Sequence, residues 1–371
     1  MAARIVRGDP IWYVLAWVVL LTGLFAQRVL ATGFTVQGIL AVVIVAFTLF
    51  LYLMMGWQQG VTFLRQWVLA GPGRVFVIPV SLWVLSLVYA KLSGFLTDEV
   101  GILGLALALI PVEIARRETR PMQSKDLIWG WLALLIPLMN PPFGHRIPLA
   151  LDVGLRVGAF LLPALYIWLA REQWQHVRLL LAFSYLWYSV EWATPDVGFP
   201  MFSLFHLYAL ALAVYILILV GKSSEVGLGI LLRRQDFGPV LRNFMLFLPI
   251  ALGIGLVTHF LHPHWPTVSG VDMLLRGVLI FFFTGLPEEI LFRGVIFRSF
   301  IDYIGEPRWA LALSSLIFGS AHLNNPPMVG VYFVLASIAG WFYGDTYLRT
   351  GRIASAALLH ALVDWVWDLF L

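Results

Sequence analysis

Long apolar stretches follow one another along this chain, and only short polar breaks separate them. A helix needs about 20 mostly apolar residues to cross a lipid bilayer, and about thirteen segments come close to that length. Their approximate cores are 11–27, 34–55, 75–95, 100–114, 127–140, 149–170, 179–192, 202–221, 245–261, 273–292, 309–323, 328–348 and 353–371. We therefore predict an all-α protein, a polytopic transmembrane helical bundle of about 13 spans.

The composition excludes a water-soluble globule. Hydrophobic residues make up 61% of the 371 residues and charged residues only 12%, against about 25% charged residues in soluble domains. The polar side chains are too few to cover the surface of a protein of this size. We therefore expect lipid to cover most of that surface. The chain has no cysteine, which excludes disulfides, thiolate zinc sites and cysteine nucleophiles.

The basic residues predict an orientation in the membrane. Cytoplasmic loops carry an excess of Lys and Arg, and a cytoplasmic N-terminus places most of the 24 basic residues at cytoplasmic breaks. Thirteen spans then put the C-terminus on the opposite side. The net charge of +4 suits anionic lipid headgroups, so we expect the lipid bilayer as a partner and no nucleic acid.

The longest mixed stretch, 222–244, predicts a division of the chain. Its apolar residues alternate with Arg233, Arg234 and Arg242, as in a helix that lies in the membrane interface. We interpret 222–244 as an interfacial linker between an N-terminal eight-span region of unknown role, 1–221, and a five-span domain, 245–371.

Glu288, Glu289 and Arg293 lie in the otherwise apolar segment GLPEEILFRGVIF. An ionisable group in the bilayer is costly, so it normally faces a partner or a cavity and is a functional candidate. Glu289 and Arg293 are four residues apart and share a helix face, which predicts an ion pair. Glu288 lies on another side, where apolar surroundings suit a general base or acid. A purely structural role stays open for both glutamates.

Two histidines lie in later apolar segments, each four residues from a second notable side chain. Phe318 and His322 share a helix face, and so do His360 and Asp364. Asp364 can fix the tautomer of His360, or the pair can be a structural hydrogen bond. A carboxylate and two imidazoles on three separate helices converge only inside a bundle.

These residue types are suited to hydrolysis. Glu288 would take a proton from water, His322 would position that water or shuttle the proton, and His360 would face the developing oxyanion. A metal-dependent version stays open, with His322, His360 and Asp364 as ligands of zinc and Glu288 as the base. The HExxH spacing of helical zinc hydrolases is absent, so spacing alone predicts no metal site.

The three motifs, E-E-x-x-x-R, F-x-x-x-H and H-x-x-x-[N/D], resemble in this order those of the CPBP family. These are the CAAX-protease and bacteriocin-processing intramembrane proteases, also called Abi proteins. The connecting sequence is similar too, in EEILFRG, in the W-x-A-x-x-x-S-S-x-x-F run and in GWFYGDTYLRTGRIASAALLH. The resemblance covers about residues 245–371.

The resemblance implies an intramembrane endopeptidase whose substrate is a membrane-anchored protein or peptide. In that family the first glutamate and the F-x-x-x-H histidine are taken to activate water, and the last histidine and its partner to stabilise the oxyanion. Members have been classed as metalloproteases, and a glutamate mechanism without metal is also argued for the eukaryotic type. Carried over, the catalytic roles fall on Glu288, His322, His360 and Asp364, with Glu289, Arg293 and Phe318 in support.

Asp364 departs from the eukaryotic type, which carries Asn at this position. An ionised aspartate cannot donate a hydrogen bond to an oxyanion. Here it would have to be protonated, orient His360 or help hold a metal. The sequence establishes no cofactor, and it leaves zinc, the substrate and the oligomeric state open.

Other polar residues give weaker signals. His259, His262 and His264 are interrupted by Pro263 at a predicted outer loop, so we interpret them as an interfacial loop rather than a metal site. Further ionisable residues lie near or within the N-terminal spans: Glu113, Asp152, Arg156 and Glu191.

Two other classes of function stay open. A transporter that uses charges at the bilayer midplane would show paired inverted repeats, whereas the charged motifs here lie at one end of the chain. A non-catalytic scaffold or immunity protein on the same bundle would not need the carboxylate of Glu288.

Overall fold

A computed structural model of the chain describes residues 11–31, 33–55, 58–71, 73–92, 211–212, 214–215, 231–322 and 328–371. The described residues form two compact units, one containing residues up to 215 and the other beginning at 231. Every regular element in these ranges is a helix, which confirms the predicted all-α class.

The first unit is a small helical bundle. Its helices are α1 (Ile11–Leu30), α2 (Val36–Met55), α3 (Gln58–Leu69) and α4 (Val77–Leu92), and a 3₁₀ turn, Arg74–Phe76, precedes α4. Helix α2 packs against α1, α3 and α4. The Tyr215 hydroxyl donates a hydrogen bond to the Val75 carbonyl at 2.7 Å, which fixes a distant part of the chain to the 3₁₀ turn before α4.

The second unit contains the three motifs. Its helices are α5 (Phe237–Val257), α6 (Gly270–Ile280), α7 (Leu286–Glu289), α8 (Arg298–Ile304), α9 (Pro307–Ser320), α10 (Val329–Thr350) and α11 (Ile353–Phe370). Helix α10 packs against α5, α9 and α11, and α5 also contacts α11. Gly351 has φ of 66°, a left-handed conformation that glycine adopts without strain, and it ends α10 so that α11 can turn back.

Two wide turns interrupt the helix that carries the glutamates. Helices α6, α7 and α8 are joined end to end by π-helical segments, Phe281–Gly285 and Ile290–Phe297, into one rod over 270–304. Pro287 lacks an N–H and its ring crowds the carbonyl of the preceding turn, which accounts for a wide turn just before it. Such π turns are rare and frequently lie at functional sites.

Small residues let the rod approach α11 closely. A Cβ atom on Gly285 would lie only 2.8 Å from the Ala357 carbonyl oxygen, so any larger residue there would push the two helices apart. Residues 354–357 of α11, with the sequence ASAA, are completely buried. The rod and α11 therefore pack backbone to backbone next to the two glutamates.

Each predicted span that lies within the described residues overlaps a helix. Among the described residues, four segments are long and apolar enough to cross a membrane: Val36–Met54, Arg234–Val257, Gly270–Gly294 and Ile353–Phe370. Two shorter apolar segments are Ile11–Gln27 and Arg74–Leu85. The predicted total of about 13 spans is not confirmed, because the predicted cores between 100 and 192 and most of 202–221 lie outside the described residues.

Two boundaries differ from those predicted. Helix α3 lies in a segment predicted as a polar break, and at 12 residues it is too short to span a bilayer. Helix α5 begins at Phe237, inside the predicted linker 222–244, of which the part before 231 lies outside the described residues. At the start of this helix Asp236 forms a buried ion pair with Arg352 at 3.2 Å, and Arg352 also donates to the Leu231 carbonyl.

Candidate active site

The rod supplies a buried ion pair. The Arg293 Nε atom lies 2.9 Å from the Glu289 Oε2 atom, and their side chains are 1% and 0% exposed. Arg293 also donates a hydrogen bond to the Gly340 carbonyl at 2.8 Å. Its guanidinium lies 5.0 Å from the centre of the Phe318 ring and 5.6 Å from that of Tyr343, so two aromatic faces help to stabilise the buried cation. The ion pair predicted from the four-residue spacing is thus present.

His360 lies between three carboxylates. Its Nδ1–H group donates to Glu289 Oε1 at 3.1 Å. On the other side of the ring, Nε2 lies 3.3 Å from Asp364 Oδ2 and 3.8 Å from Glu288 Oε2. The His360 side chain is 3% exposed, whereas those of Glu288 and Asp364 are 21% and 34% exposed. One imidazole therefore joins the buried ion pair to the two more accessible carboxylates.

The structure thus gives Glu289 a contact that the sequence does not predict. The spacing in α11 suggested Asp364 as the carboxylate that fixes the His360 tautomer, but Glu289 accepts the Nδ1 hydrogen and Asp364 faces Nε2. A carboxylate that is itself held by Arg293 fixes the orientation of a histidine ring well. Sequence spacing could not show this contact, because it crosses between two helices.

His322 lies two residues beyond Ser320, the last residue of α9, in the turn that follows the helix. Its Nδ1–H group donates to the Phe318 carbonyl at 2.9 Å, which leaves Nε2 as the acceptor of the neutral ring. The ring stacks on Tyr332 with centres 5.3 Å apart and planes at 20°. Phe318 contacts both histidine rings, with centres 4.8 Å from His322 and 5.5 Å from His360. This explains why a phenylalanine precedes His322 by one helical turn.

One cavity brings the predicted catalytic residues together. It has a volume of about 280 Å³, and Glu288, His322, His360 and Asp364 all contribute to its lining. Its other walls are largely apolar, and helices α5 and α10 contribute Phe247, Leu248, Ala251, Leu335, Ala336 and Ala339. Acid–base groups thus face an apolar space large enough for several side chains of a peptide.

Tyr343 is a site residue that the sequence analysis missed. Its ring stacks on His360 with centres 4.6 Å apart and planes at 18°, and it lines the same cavity. The residue lies within the GWFYGDTY stretch of α10, where one tyrosine among several aromatic residues gives no sign of its neighbour. Only the packing of α10 on α11 shows that Tyr343 belongs to the site.

The described side chains do not form a complete zinc site. The Nδ1–H group of His360 is donated to Glu289, and its Nε2 atom faces Asp364 and Glu288. In the ranges given above, no group of three His, Asp or Glu side chains has the arrangement of a metal site. The metal-dependent alternative, with His322, His360 and Asp364 as candidate ligands, is not tested by the structure.

The remaining candidates from the sequence lie elsewhere. His262 and His264 are exposed in the loop after α5, where their backbone N–H groups donate to the carbonyls of Leu371 and Phe370. This agrees with a loop at the end of α11. Four further candidates lie outside the described residues: Glu113, Asp152, Arg156 and Glu191.

Comparison with known proteins identifies a family model that matches part of the second unit. Residues 270–366 match the family model "Type II CAAX prenyl endopeptidase Rce1-like". The match includes all three motifs and confirms the resemblance to the CPBP and CAAX intramembrane proteases over that part of the chain. No curated protein and no solved structure matches the chain.

Proposed function

We propose that this chain, an integral membrane protein with an Rce1-like domain at 270–366, hydrolyses a peptide bond of a membrane-associated protein or peptide. One observation carries the proposal. A carboxylate and two imidazoles from three separate segments of the chain line a single cavity whose other walls are largely apolar. The cavity suits an apolar peptide segment, and its polar residues suit the activation of water.

Glu288 is the proposed general base. Its side chain is partly exposed in the cavity, so water can reach it. Glu288 takes a proton from water, and the water oxygen forms a bond to the carbonyl carbon of the substrate. His322 orients that water through Nε2, since its Nδ1 hydrogen is already donated to Phe318. Glu288 then returns the proton to the leaving amine as the C–N bond breaks.

We propose that His360 lies beside the carbonyl oxygen of the bound substrate. When both of its nitrogens are protonated, an imidazolium held by Glu289 and Asp364 offsets the negative charge that develops on that oxygen. The stacked Tyr343 ring and the Glu289–Arg293 pair keep the imidazole in one orientation. Such orientation in advance of the reaction lowers its barrier.

Replacing the proposed base tests this function. We expect Glu288→Gln to abolish cleavage, so that membranes from cells producing this variant lack new protein N-termini that the wild-type protein generates. Chemical labelling of N-termini followed by mass spectrometry measures them. Glu306→Gln is the matched control, because Glu306 is exposed at the start of α9. If both variants generate the same N-termini as the wild type, the protein is not a protease of this kind.

A second experiment narrows the substrate. The matching family is named for prenylated CAAX substrates, so the purified protein is offered a farnesylated peptide ending in a CAAX sequence and the same peptide without the lipid. Cleavage of the lipidated peptide alone assigns the CAAX class. Cleavage of other membrane proteins, with no cleavage of this peptide, assigns a different membrane-bound substrate.

A further inference from the structure

The proposed reaction needs a hydrogen-bond donor that the four motif residues do not supply. A neutral His360 that donates its Nδ1 hydrogen to Glu289 has no second hydrogen, and a protonated His360 directs Nε2–H toward Asp364. Asp364 itself only accepts hydrogen bonds when ionised. The charge on the carbonyl oxygen is therefore offset by His360 but lacks a dedicated donor.

Tyr343 has a hydroxyl that can donate, and the residue lines the cavity beside His360. Its ring is nearly parallel to His360, with centres 4.6 Å apart, and the residue is 2% exposed yet lines the cavity. Its phenol lies within electrostatic reach of Asp364, Glu289 and Glu288. The Arg293 guanidinium also lies 5.6 Å from the centre of the ring, so the ring is held between well-packed neighbours.

We propose that the Tyr343 hydroxyl donates a hydrogen bond to the substrate carbonyl oxygen and stabilises the oxyanion, the role that Asp364 cannot fill. This inference rests on the proposed function. As the water oxygen bonds to the carbonyl carbon, the electron pair of the C=O π bond moves onto the oxygen, and Tyr343 keeps its proton while donating to it. The pair returns when the C–N bond breaks, and Glu288 gives its proton to the amine.

Two other hydroxyl groups line the cavity, and their positions favour Tyr343. Tyr332 stacks on His322, the histidine proposed to orient water. Thr284 lies one helical turn before Glu288 on the rod. Only Tyr343, among the hydroxyl residues that line this cavity in the described ranges, stacks on the histidine beside the carbonyl oxygen.

The test removes the hydroxyl and then supplies another donor. Precursors that accumulate in membranes of cells lacking the protein are solubilised in detergent and incubated with purified full-length variants. The initial rate at which new N-termini appear is measured for the wild type and four variants. These variants are Tyr343→Phe, Asp364→Asn, the double variant Tyr343→Phe with Asp364→Asn, and Tyr347→Phe.

Tyr343→Phe keeps the ring stacked on His360, and we expect it to cleave about 100-fold more slowly, the usual effect of losing one oxyanion donor. Asn, unlike ionised Asp, has an amide that donates, so adding Asp364→Asn should restore the rate about 10-fold. Tyr347→Phe is the matched control, since Tyr347 is buried one turn further along α10 and its ring packs against Phe297. It should cleave at the wild-type rate.

The outcomes separate this inference from the proposed function. If Glu288→Gln cleaves as well as the wild type, the proposed function fails and the inference fails with it. If Glu288→Gln is inactive but Tyr343→Phe cleaves at the wild-type rate, only the inference is wrong. It is also wrong if Asp364→Asn does not speed the Tyr343→Phe protein, because a structural defect would not be repaired by a new donor.

Discussion

At the scale of single residues, the Glu289–Arg293 ion pair places the strictest energetic requirement on this protein. Both side chains are almost completely buried, so each charge depends on the other. Removing one partner of a buried pair leaves the other charge without compensation in an apolar interior, which costs about 3–5 kcal/mol. The pair thus links the stability of the bundle to the orientation of His360.

Arg293→Met should therefore destabilise the protein by about 3–5 kcal/mol. Thermal unfolding in detergent measures the change. Arg349→Met is a matched control, because Arg349 pairs with Asp345 at the same four-residue spacing but is 45% exposed; loss of such a pair costs less than about 1 kcal/mol. Equal effects of the two substitutions would show that burial of the first pair has no energetic consequence.

The arrangement of ionisable side chains leads to a second prediction. Because the described residues contain no group of three His, Asp or Glu side chains arranged as a metal site, we expect cleavage to continue unchanged after treatment with a strong zinc chelator. The rate at which new N-termini appear is compared before and after chelation. Loss of activity that added zinc restores would instead support the metal-dependent version.

The sequence predicts contacts within a helix better than contacts between helices. The spacing of Glu289 and Arg293, and of His360 and Asp364, correctly places each pair on one face, since that geometry is local. The contact of Glu289 with His360 depends on how the rod packs against α11, which no local rule specifies. The same is true of Tyr343.

At the scale of helices, the approach of the rod to α11 sets the distances at the site. Gly285 lies one turn before Glu289, where a Cβ would meet the Ala357 carbonyl oxygen at 2.8 Å. Backbone atoms cannot move aside as a side chain can. A larger residue at 285 would therefore separate both glutamates from His360.

Gly285→Ala should reduce the rate of cleavage at least 10-fold, since a misplacement near 1 Å can cost about 100-fold in rate. Gly253→Ala in α5 is the matched control, because its Cβ would have no atom within 4 Å, and we expect it to cleave normally. Membrane amounts of both variants are compared with the wild type first. An unchanged rate for Gly285→Ala would show that this helix contact does not position the site.

The helices themselves are largely predictable, and their irregularities are not. Apolar length correctly predicts the helices from 245 onward, because a spanning segment must satisfy its backbone hydrogen bonds internally. It does not predict α3, nor the start of α5 at Phe237. The π turns on either side of the glutamates are also missed, since a helical wheel assumes a constant 100° per residue.

At the scale of the whole molecule, the predicted orientation in the membrane can be tested directly. The distribution of basic residues predicts a cytoplasmic N-terminus and alternating sides for successive breaks. The chain has no cysteine, so a single introduced cysteine reports its own location without a background signal.

We expect His262→Cys and Arg308→Cys to be labelled from opposite sides of the membrane. Both residues are exposed at breaks next to the rod, His262 before it and Arg308 after it. A maleimide reagent that does not cross membranes, applied to intact cells and then to opened membranes, should label position 262 first and 308 only after opening. Labelling of both positions in intact cells would contradict the predicted crossing of the rod.

The two wide turns flank the acid pair, and each holds one residue more than an α-helical turn needs. Because the extra residue is accommodated within the turn, removing it would restore an ordinary α-helical turn and keep the flanking helices nearly in phase. A deletion from 281–285 would therefore draw the acids toward α6, whereas a deletion from 290–297 would draw α8 toward the acids. The length of the rod can thus change on either side of the acids independently.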